Sequence, residues 1–358
     1  MKEQTSSQNK LSRRKYIIPF VIILCILAGY IYKVVTWTPI DSESKKASEA
    51  IIRQAAASQL TTDPNYPVDP NSLTDKDFTK ITEIDIRKKE LTDVKLLEKF
   101  TNMQNLILIS ITFPEKEIPK WMKIFAKIGI LDLSERFRLD LSPLEKLINL
   151  ETLNLNSTQV SNLESIKNLT KLKQLKLVQS KVSNLEPLRN LTNLEYLGLY
   201  EPQISNLEPI SKLSKLKFLG LTNVQVFNLN SMMGLTNLEE LYLEHIQISE
   251  LEPLRGLTSL KKLYLYDTQV SSLEPLKSLL NLEILYLNCT KISNIEPLRG
   301  LTNLRVLYLI KTQVFDLEPL MGLKNLKSLI SKSPNITDEQ VEELQKALPD
   351  LKLTDKME

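Results

Sequence analysis

The chain has 358 residues, with 46 lysines and arginines, 43 aspartates and glutamates, 8 glycines and one histidine. The glycines form no phosphate-binding loop pattern, and a single histidine with two distant cysteines, Cys25 and Cys289, provides neither a metal-ligand cluster nor a disulfide framework. Five basic residues and one glutamate lie in residues 1–15, so the rest of the chain is close to neutral and has no basic stripe for nucleic acid.

An uncharged run of 17 residues, Tyr16 to Tyr32, follows this basic tail. Extended to Trp37, a helix over this run would measure roughly 26–33 Å, about the thickness of a bilayer core. We predict a transmembrane anchor over residues 16–37. Because basic residues stay on the cytoplasmic side, residues 1–15 are predicted to be a cytoplasmic tail, with the rest of the chain periplasmic or extracellular.

A cleaved signal peptide is the alternative interpretation of this run. A cut after Ala28 would place Ile26 where a small residue is expected, which favours an uncleaved anchor. Residues 38–73 are predicted to be a juncture or linker, with an amphipathic helix over Ser42–Leu60 and a proline-rich turn over residues 61–71.

Leucines spaced 22 residues apart, from Leu150 to Leu326, define an internal repeat. With each of these leucines as position 1, leucine recurs at position 4, and valine or isoleucine at position 11; position 6 is leucine from Leu155 to Leu309. The same register extends back to Ile81 if one repeat has 25 residues. We predict eleven repeats over 81–325 within a solenoid at 74–353, followed by a tail at 354–358.

The pattern of each repeat predicts a strand followed by a short helical turn. The alternation at positions 4 and 6 is typical of a strand with one buried face, and the Leu-Glu-Pro or Ile-Glu-Pro motif at positions 14–16 of six repeats is typical of a helix start. Stacked repeats form one continuous core, with a parallel sheet on the concave side and helical turns on the convex side. The fold class is therefore an α/β solenoid.

Both ends of such a solenoid need caps, because open sheet edges expose unpaired backbone groups. Residues 72–80 are predicted to form a short capping helix. At the other end, a C-terminal cap is predicted over 326–353. A capping box at Thr337 and Gln340 begins its helix, Pro349 ends it, and a last strand contains Leu351 and Leu353.

Segments such as LTNLEELYLEHIQISELEPLRG resemble the 22-residue leucine-rich repeats of bacterial proteins, with similar repeats in internalins and in a regulatory subunit of protein phosphatase 1. The resemblance implies a horseshoe-shaped solenoid that binds proteins and needs no cofactor. That family usually has asparagine at position 9, where this chain has residues such as Thr268, Pro202, Val224 and Ile246. We expect looser turns around residues 200–247.

Aromatic residues concentrate at the outward strand positions 3, 5 and 7, and position 5 is tyrosine in four consecutive repeats. A large apolar ring with a polar tip suits protein or glycan contact, although tyrosines also stack on one another across strands. The predicted partner-binding residues are Tyr196, Tyr200, Phe218, Tyr242, Glu244, His245, Tyr264, Tyr266, Tyr286 and Tyr308.

Position 2 alternates in sign without a break from Glu151 to Arg305. We interpret this row as a self-neutralising ladder; a charged recognition row is the alternative.

These observations predict a membrane-anchored protein-binding module without enzymatic activity. A cell-wall or glycan-binding surface protein is the alternative. No acid–base constellation at a recognisable spacing supports an enzyme, and regulation of a cytoplasmic phosphatase conflicts with the predicted export.

Overall fold

The computed structural model describes residues 42–62, 67–91, 93–111, 139–158, 160–201, 203–331 and 335–354. The predicted anchor at 16–37 lies outside these residues, as does nearly all of the predicted tail at 354–358. Among the residues described, no helix combines the length and the apolar character that a membrane crossing requires. The anchor therefore remains a prediction from the sequence.

The described chain forms one parallel sheet of twelve strands that follow each other in chain order. Leucines at position 4 lie side by side in neighbouring strands, as Leu241 and Leu263 do, and they are fully buried in a single continuous core. The strands are β1 (Glu83–Arg87), β2 (Asn105–Ile109), β3 (Thr152–Asn154), β4 (Gln174–Lys176), β5 (Tyr196–Tyr200), β6 (Phe218–Thr222), β7 (Glu240–Tyr242), β8 (Lys262–Tyr264), β9 (Ile284–Tyr286), β10 (Val306–Tyr308), β11 (Ser328–Ile330) and β12 (Lys352–Thr354).

The predicted helical turns are 3₁₀ helices. The Leu-Glu-Pro motif fits their first turn because proline there loses no hydrogen bond. The polar residue at position 13 caps the turn: in one repeat Asn184 Oδ1 accepts a hydrogen bond from the Glu186 backbone N–H at 2.9 Å. The described 3₁₀ helices are Pro70–Ser72, Lys95–Lys99, Ser142–Lys146, Glu164–Ile166, Glu186–Leu188, Glu208–Ile210, Asn230–Met232, Glu252–Leu254, Glu274–Ser278, Glu296–Leu298 and Glu318–Leu320.

The turns after the described strands share one backbone feature, and the turns at 200–247, where looser turns are expected, share it too. Position 8 is left-handed in the turns described, and Glu201, Asn223 and His245 have φ of 62°, 59° and 55°, like the others. Where position 9 is valine or isoleucine, as at Val224 and Ile246, its side chain is buried instead of bonding to the turn. Apolar burial thus replaces the polar contact without changing the turn.

Threonine at position 9 contributes a buried hydrogen bond whose loss is measurable. Thr268 Oγ1 donates to the Leu265 carbonyl at 3.0 Å. Thr268→Val keeps the shape but removes the donor, and we expect the free energy of unfolding to fall by about 0.5–1.5 kcal/mol. Urea denaturation followed by circular dichroism measures this. The exposed Thr258→Val serves as a control, and equal losses at both sites would contradict the assignment.

The pairing of β2 with β3 corrects the predicted repeat count. Leu106 lies directly opposite Leu153, more than two repeat lengths later in the chain. The following turns are also neighbours, since Lys146 Nζ contacts Glu98 Oε2 at 2.8 Å. β2 and β3 are therefore neighbours in the sheet, so the strand order of the described residues leaves one repeat fewer than the eleven predicted over 81–325. The predicted repeat that begins at Ile128 falls in residues 112–138, outside the part of the chain that the structure describes.

The N-terminal part of the described chain corrects the linker prediction at 38–73. Helix α1 (Ser42–Leu60) has the predicted bounds, but it packs on the first repeat and fully buries Ile52 and Ala56 in the common core. Its Arg53 side chain donates to the Leu73 carbonyl at 3.2 Å. The cap therefore begins at α1 and not at residue 74, because an amphipathic pattern does not show which surface its apolar face will cover.

Two short helices complete the caps. Helix α2 (Asp75–Phe78) begins at a capping box of Thr74 and Asp77, and it is shorter than the predicted 72–80 helix. Helix α3 (Asp338–Ala347) begins at the predicted box of Thr337 and Gln340. The last strand, β12, pairs with β11 as predicted.

Candidate functional site

Six aromatic rings form a continuous row along the concave sheet, which we name the aromatic ladder: Tyr196, Phe218, Tyr242, Tyr264, Tyr286 and Tyr308. Successive ring centroids lie 4.0, 5.2, 4.1, 4.6 and 3.9 Å apart. All contacts but one are stacked, and the contact between Phe218 and Tyr242 is tilted by 38°. The stacking alternative raised from the sequence is therefore present, and it builds one rigid surface that is half-buried.

The ladder changes position where it crosses from β6 to β7. In β5 and β6 the rings stand at position 3, and position 5 is Gly198 and Gly220; in β7 to β10 the rings stand at position 5. The glycines leave room for Tyr200, whose ring lies over Gly220: a Cβ added there would lie 2.6 Å from the ring. Tyr200 therefore leans from β5 across β6 towards β7.

A methyl group at Gly220 is expected to displace the Tyr200 ring at little cost to folding. The contacting atoms belong to the far end of one side chain, so Gly220→Ala should lower the free energy of unfolding by less than about 1 kcal/mol. The pKa of Tyr200, which burial raises, should fall towards its ordinary value as the ring becomes exposed. Phenolate absorbance against pH measures this shift.

Gly256→Ala is the matched control, because nothing lies within 4 Å of the added Cβ. An unchanged tyrosine titration in Gly220→Ala would show that Tyr200 does not depend on the glycine.

Burial strengthens the preference of these phenols for the neutral form, which tyrosine already has at neutral pH. It is the largest cause of the raised pKa values of Tyr196, Tyr200, Tyr242, Tyr264 and Tyr286. At neutral pH the surface therefore offers uncharged rings and hydroxyls that both donate and accept hydrogen bonds.

Four charged groups lie beside the ladder among the described residues, and two of them form an ion pair. Glu240 and Lys262 form an ion pair at 2.8 Å. The Lys176 ammonium lies 5.0 Å from the centre of the Tyr196 ring. Glu244, at position 7 of its repeat, is half-buried, and burial raises the pKa of its carboxyl.

His245 lies at the margin of this surface. Its Nδ1 is 2.9 Å from Asp267 Oδ2, and its ring meets Tyr266 edge-on at 4.8 Å between centroids. The ten residues predicted from the sequence thus fall on one face: nine stand on the concave side of the sheet, and His245 is exposed in the adjoining turn.

The position 2 row neutralises itself, as predicted, but only at alternate gaps. Lysine or arginine pairs with the preceding glutamate at 2.8 Å in Glu151–Lys173 and Glu195–Lys217, at 2.7 Å in Glu239–Lys261 and at 3.8 Å in Glu283–Arg305. These exposed pairs contribute about 0–1 kcal/mol each.

A second row at position 22 was not predicted. Asn193 Nδ2 donates to the Thr170 carbonyl of the preceding repeat at 2.8 Å, and Asn281 to that of Thr258 at 2.9 Å. The recurrence of asparagine before the position 1 leucine was the available signal. Its role is structural, because each amide joins two neighbouring repeats.

Comparison with known proteins places the repeats in a family. A model described as leucine-rich repeats in two copies matches residues 236–278 and 258–300. The comparison with curated proteins finds no match. The chain thus contains leucine-rich repeats, and the recognition made from the sequence is confirmed.

Solved structures share the fold. An internalin of Listeria monocytogenes matches with a TM-score of 0.62 and 24% identity, over 87% of this chain and 96% of that chain. A leucine-rich repeat protein of Leptospira interrogans matches with a TM-score of 0.65 and 24% identity, over 78% of this chain and 73% of that chain. At these identities the likeness is one of fold.

A plant protein extends the comparison. The ectodomain of the Arabidopsis thaliana membrane receptor kinase GASSHO1/SCHENGEN3, in complex with CASPARIAN STRIP INTEGRITY FACTOR 2, matches with a TM-score of 0.56 and 17% identity, over 78% of this chain and 36% of that chain.

Proposed function

We propose that this protein is a membrane-anchored, non-enzymatic binding module whose concave aromatic ladder contacts a protein partner. The observation that carries the proposal is the ladder itself: six half-buried rings on a rigid sheet, with neutral hydroxyls and few unpaired charges. Tyrosine on a pre-organised surface provides contact area at little entropic cost, which is why it is enriched at protein interfaces. Leucine-rich repeat solenoids typically mediate protein–protein interaction, and the plant ectodomain with this fold is seen in complex with a partner.

The geometry of stacking favours a protein over a glycan. Sugars bind aromatic residues through the exposed faces of the rings, but neighbouring tyrosines here lie 3.9–4.6 Å apart, with their rings inclined by 7–28°. Their faces cover one another, which leaves little ring face free for a sugar. Such a surface suits apolar and hydrogen-bonding side chains of a protein.

Membrane anchoring is the second part of the proposal. It is supported by the uncharged run from Tyr16 and the basic residues before it, which together predict a periplasmic or extracellular solenoid. Four residues separate Trp37 from Ser42, the first residue of α1. Such a connection reaches about 18 Å at most. The N-terminal cap would therefore lie close to the membrane surface, with the ladder farther along the solenoid.

Capture of partners from envelope extracts tests the proposal. The full chain in detergent is compared with a variant carrying alanine at Tyr242, Tyr264, Tyr286 and Tyr308, after circular dichroism has shown that both are folded. A protein retained by the wild type and lost by the variant is the expected result. Equal capture by both would exclude the ladder as the binding surface, and co-sedimentation with cell-wall material alone would favour a glycan.

A further inference from the structure

Glu244 is a half-buried carboxylate of the concave face that has no ion-pair partner among the described residues. It lies in the row of position 7 side chains, between Thr222 of the preceding repeat and Tyr266 of the following one. Backbone bonds fix this placement: the Asn223 N–H donates to the Glu244 carbonyl at 3.0 Å, and the His245 N–H donates to the Tyr266 carbonyl at 2.9 Å.

The charged side chains nearest to Glu244 in the sequence are paired with other residues. Glu240, on the same strand as Tyr242, is neutralised by Lys262. His245, next in the chain, directs its Nδ1 to Asp267. Among the residues that the structure describes, neither lysine nor arginine forms an ion pair with Glu244.

Tyrosine side chains lie on both sides of Glu244 along the concave face. Tyr200 leans over Gly220 towards β7, the strand that leads into Glu244, and Gly220 is paired with Tyr242 of that strand. Tyr266 occupies the same position 7 in the following repeat, just after β8. Burial is the largest cause of the raised pKa of Tyr200 and Tyr242, and Cys289 of that of Tyr266; the charge of Glu244 raises the pKa of each phenol further.

A half-buried carboxylate flanked by ring systems is the complement of an extended cationic side chain. The cation gains a charge-assisted hydrogen bond from the carboxylate and a cation–π contact from a tyrosine ring, and its methylene groups cover apolar surface. A cation supplied by a partner would also compensate the cost of burying Glu244 unpaired.

We propose that Glu244, with the rings of Tyr200 and Tyr266, forms a subsite for a lysine or arginine side chain of the protein partner. This inference rests on the proposed function of the aromatic ladder and adds to it the charge of the residue that docks there.

Selection from a library of random twelve-residue peptides tests the subsite, with the full chain in detergent as bait. Peptides that depend on the ladder are those lost by the Tyr264→Ala/Tyr286→Ala variant. Among them we expect enrichment of lysine or arginine, and Glu244→Gln should weaken their binding by about 10- to 100-fold. Glu250→Gln, which removes the same charge from an exposed site in the loop after β7, should leave binding unchanged.

Charge reversal provides a test that a folding defect cannot mimic. Glu244→Lys should reject the basic peptides and should regain binding when their lysine or arginine is replaced by glutamate. Ladder-dependent peptides without basic enrichment, or peptides bound equally by Glu244→Gln, would overturn the subsite and leave the proposed function intact. Failure to select any ladder-dependent peptide would overturn both.

Discussion

Alanine at both Tyr264 and Tyr286 is expected to lower the affinity for the protein partner by about 100-fold or more. Tyr264 is the fourth and Tyr286 the fifth of the six rings of the aromatic ladder, and each stacks on a neighbour on either side. Central tyrosines in protein interfaces commonly contribute about 2 kcal/mol or more each, and a 1.4 kcal/mol change corresponds to about tenfold in affinity. Titration of the captured partner against the full chain by calorimetry measures the loss.

The same substitutions also remove stacking within the protein. Each aromatic pair is worth about 0.5–1.5 kcal/mol, so the double variant should unfold more easily as well. Phenylalanine at both positions separates the two effects, because it keeps the rings and removes only the hydroxyls. We expect the phenylalanine variant to retain the stability and most of the affinity. Lost stability with unchanged affinity in the alanine variant would mean that the ladder serves only to stiffen the sheet.

Much of the fold could be predicted because one short period dictates it. Leucines at positions 1, 4 and 6 have no environment other than the space between stacked repeats, so their spacing predicts both the strands and the parallel pairing. Capping chemistry is equally local, and Thr337 and Gln340 mark the start of α3 through bonds spanning only three residues. The bounds of α1 could likewise be predicted from the local sequence.

Features that depend on distant contacts could not be predicted. Ile128, Leu131 and Leu133 match the repeat template, but they lie outside the described residues, and Leu106 pairs directly with Leu153. The pattern alone did not predict that β2 and β3 are neighbours. The helical pattern of α1 likewise carried no information about the surface that it covers.

The candidate site also combines features that could be predicted with features that could not. The repeat positions of the tyrosines predicted that their side chains share one face, but the orientation of the rings depends on packing. Stacked rings, the space over Gly220 and the unpaired state of Glu244 arise from neighbours on other strands. These details decide whether the surface exposes the edges or the faces of its rings. That difference bears directly on the class of ligand that it can bind.

Ile52→Ala is expected to produce the largest loss of stability outside the repeats. Ile52 lies on α1 and is fully buried against the first repeat. Truncation of a buried isoleucine to alanine lowers the free energy of unfolding by about 2–5 kcal/mol. Repeats in a solenoid contact mainly their neighbours, so the damage should be greatest at β1 and fade along the sheet. Urea unfolding measures the total loss, and hydrogen exchange of the β1 and β2 amides locates it.

The exposed Gln54→Ala, on the same helix, is the control and should change the free energy of unfolding by less than about 0.5 kcal/mol. If α1 were a linker, both substitutions would be equally harmless and the β1 amides would exchange as in the wild type. A loss specific to Ile52 would instead show that the folded solenoid begins at Ser42, within four residues of the predicted anchor. If the predicted anchor spans the membrane, the cap would then lie close to the membrane surface, with the aromatic ladder farther along the solenoid.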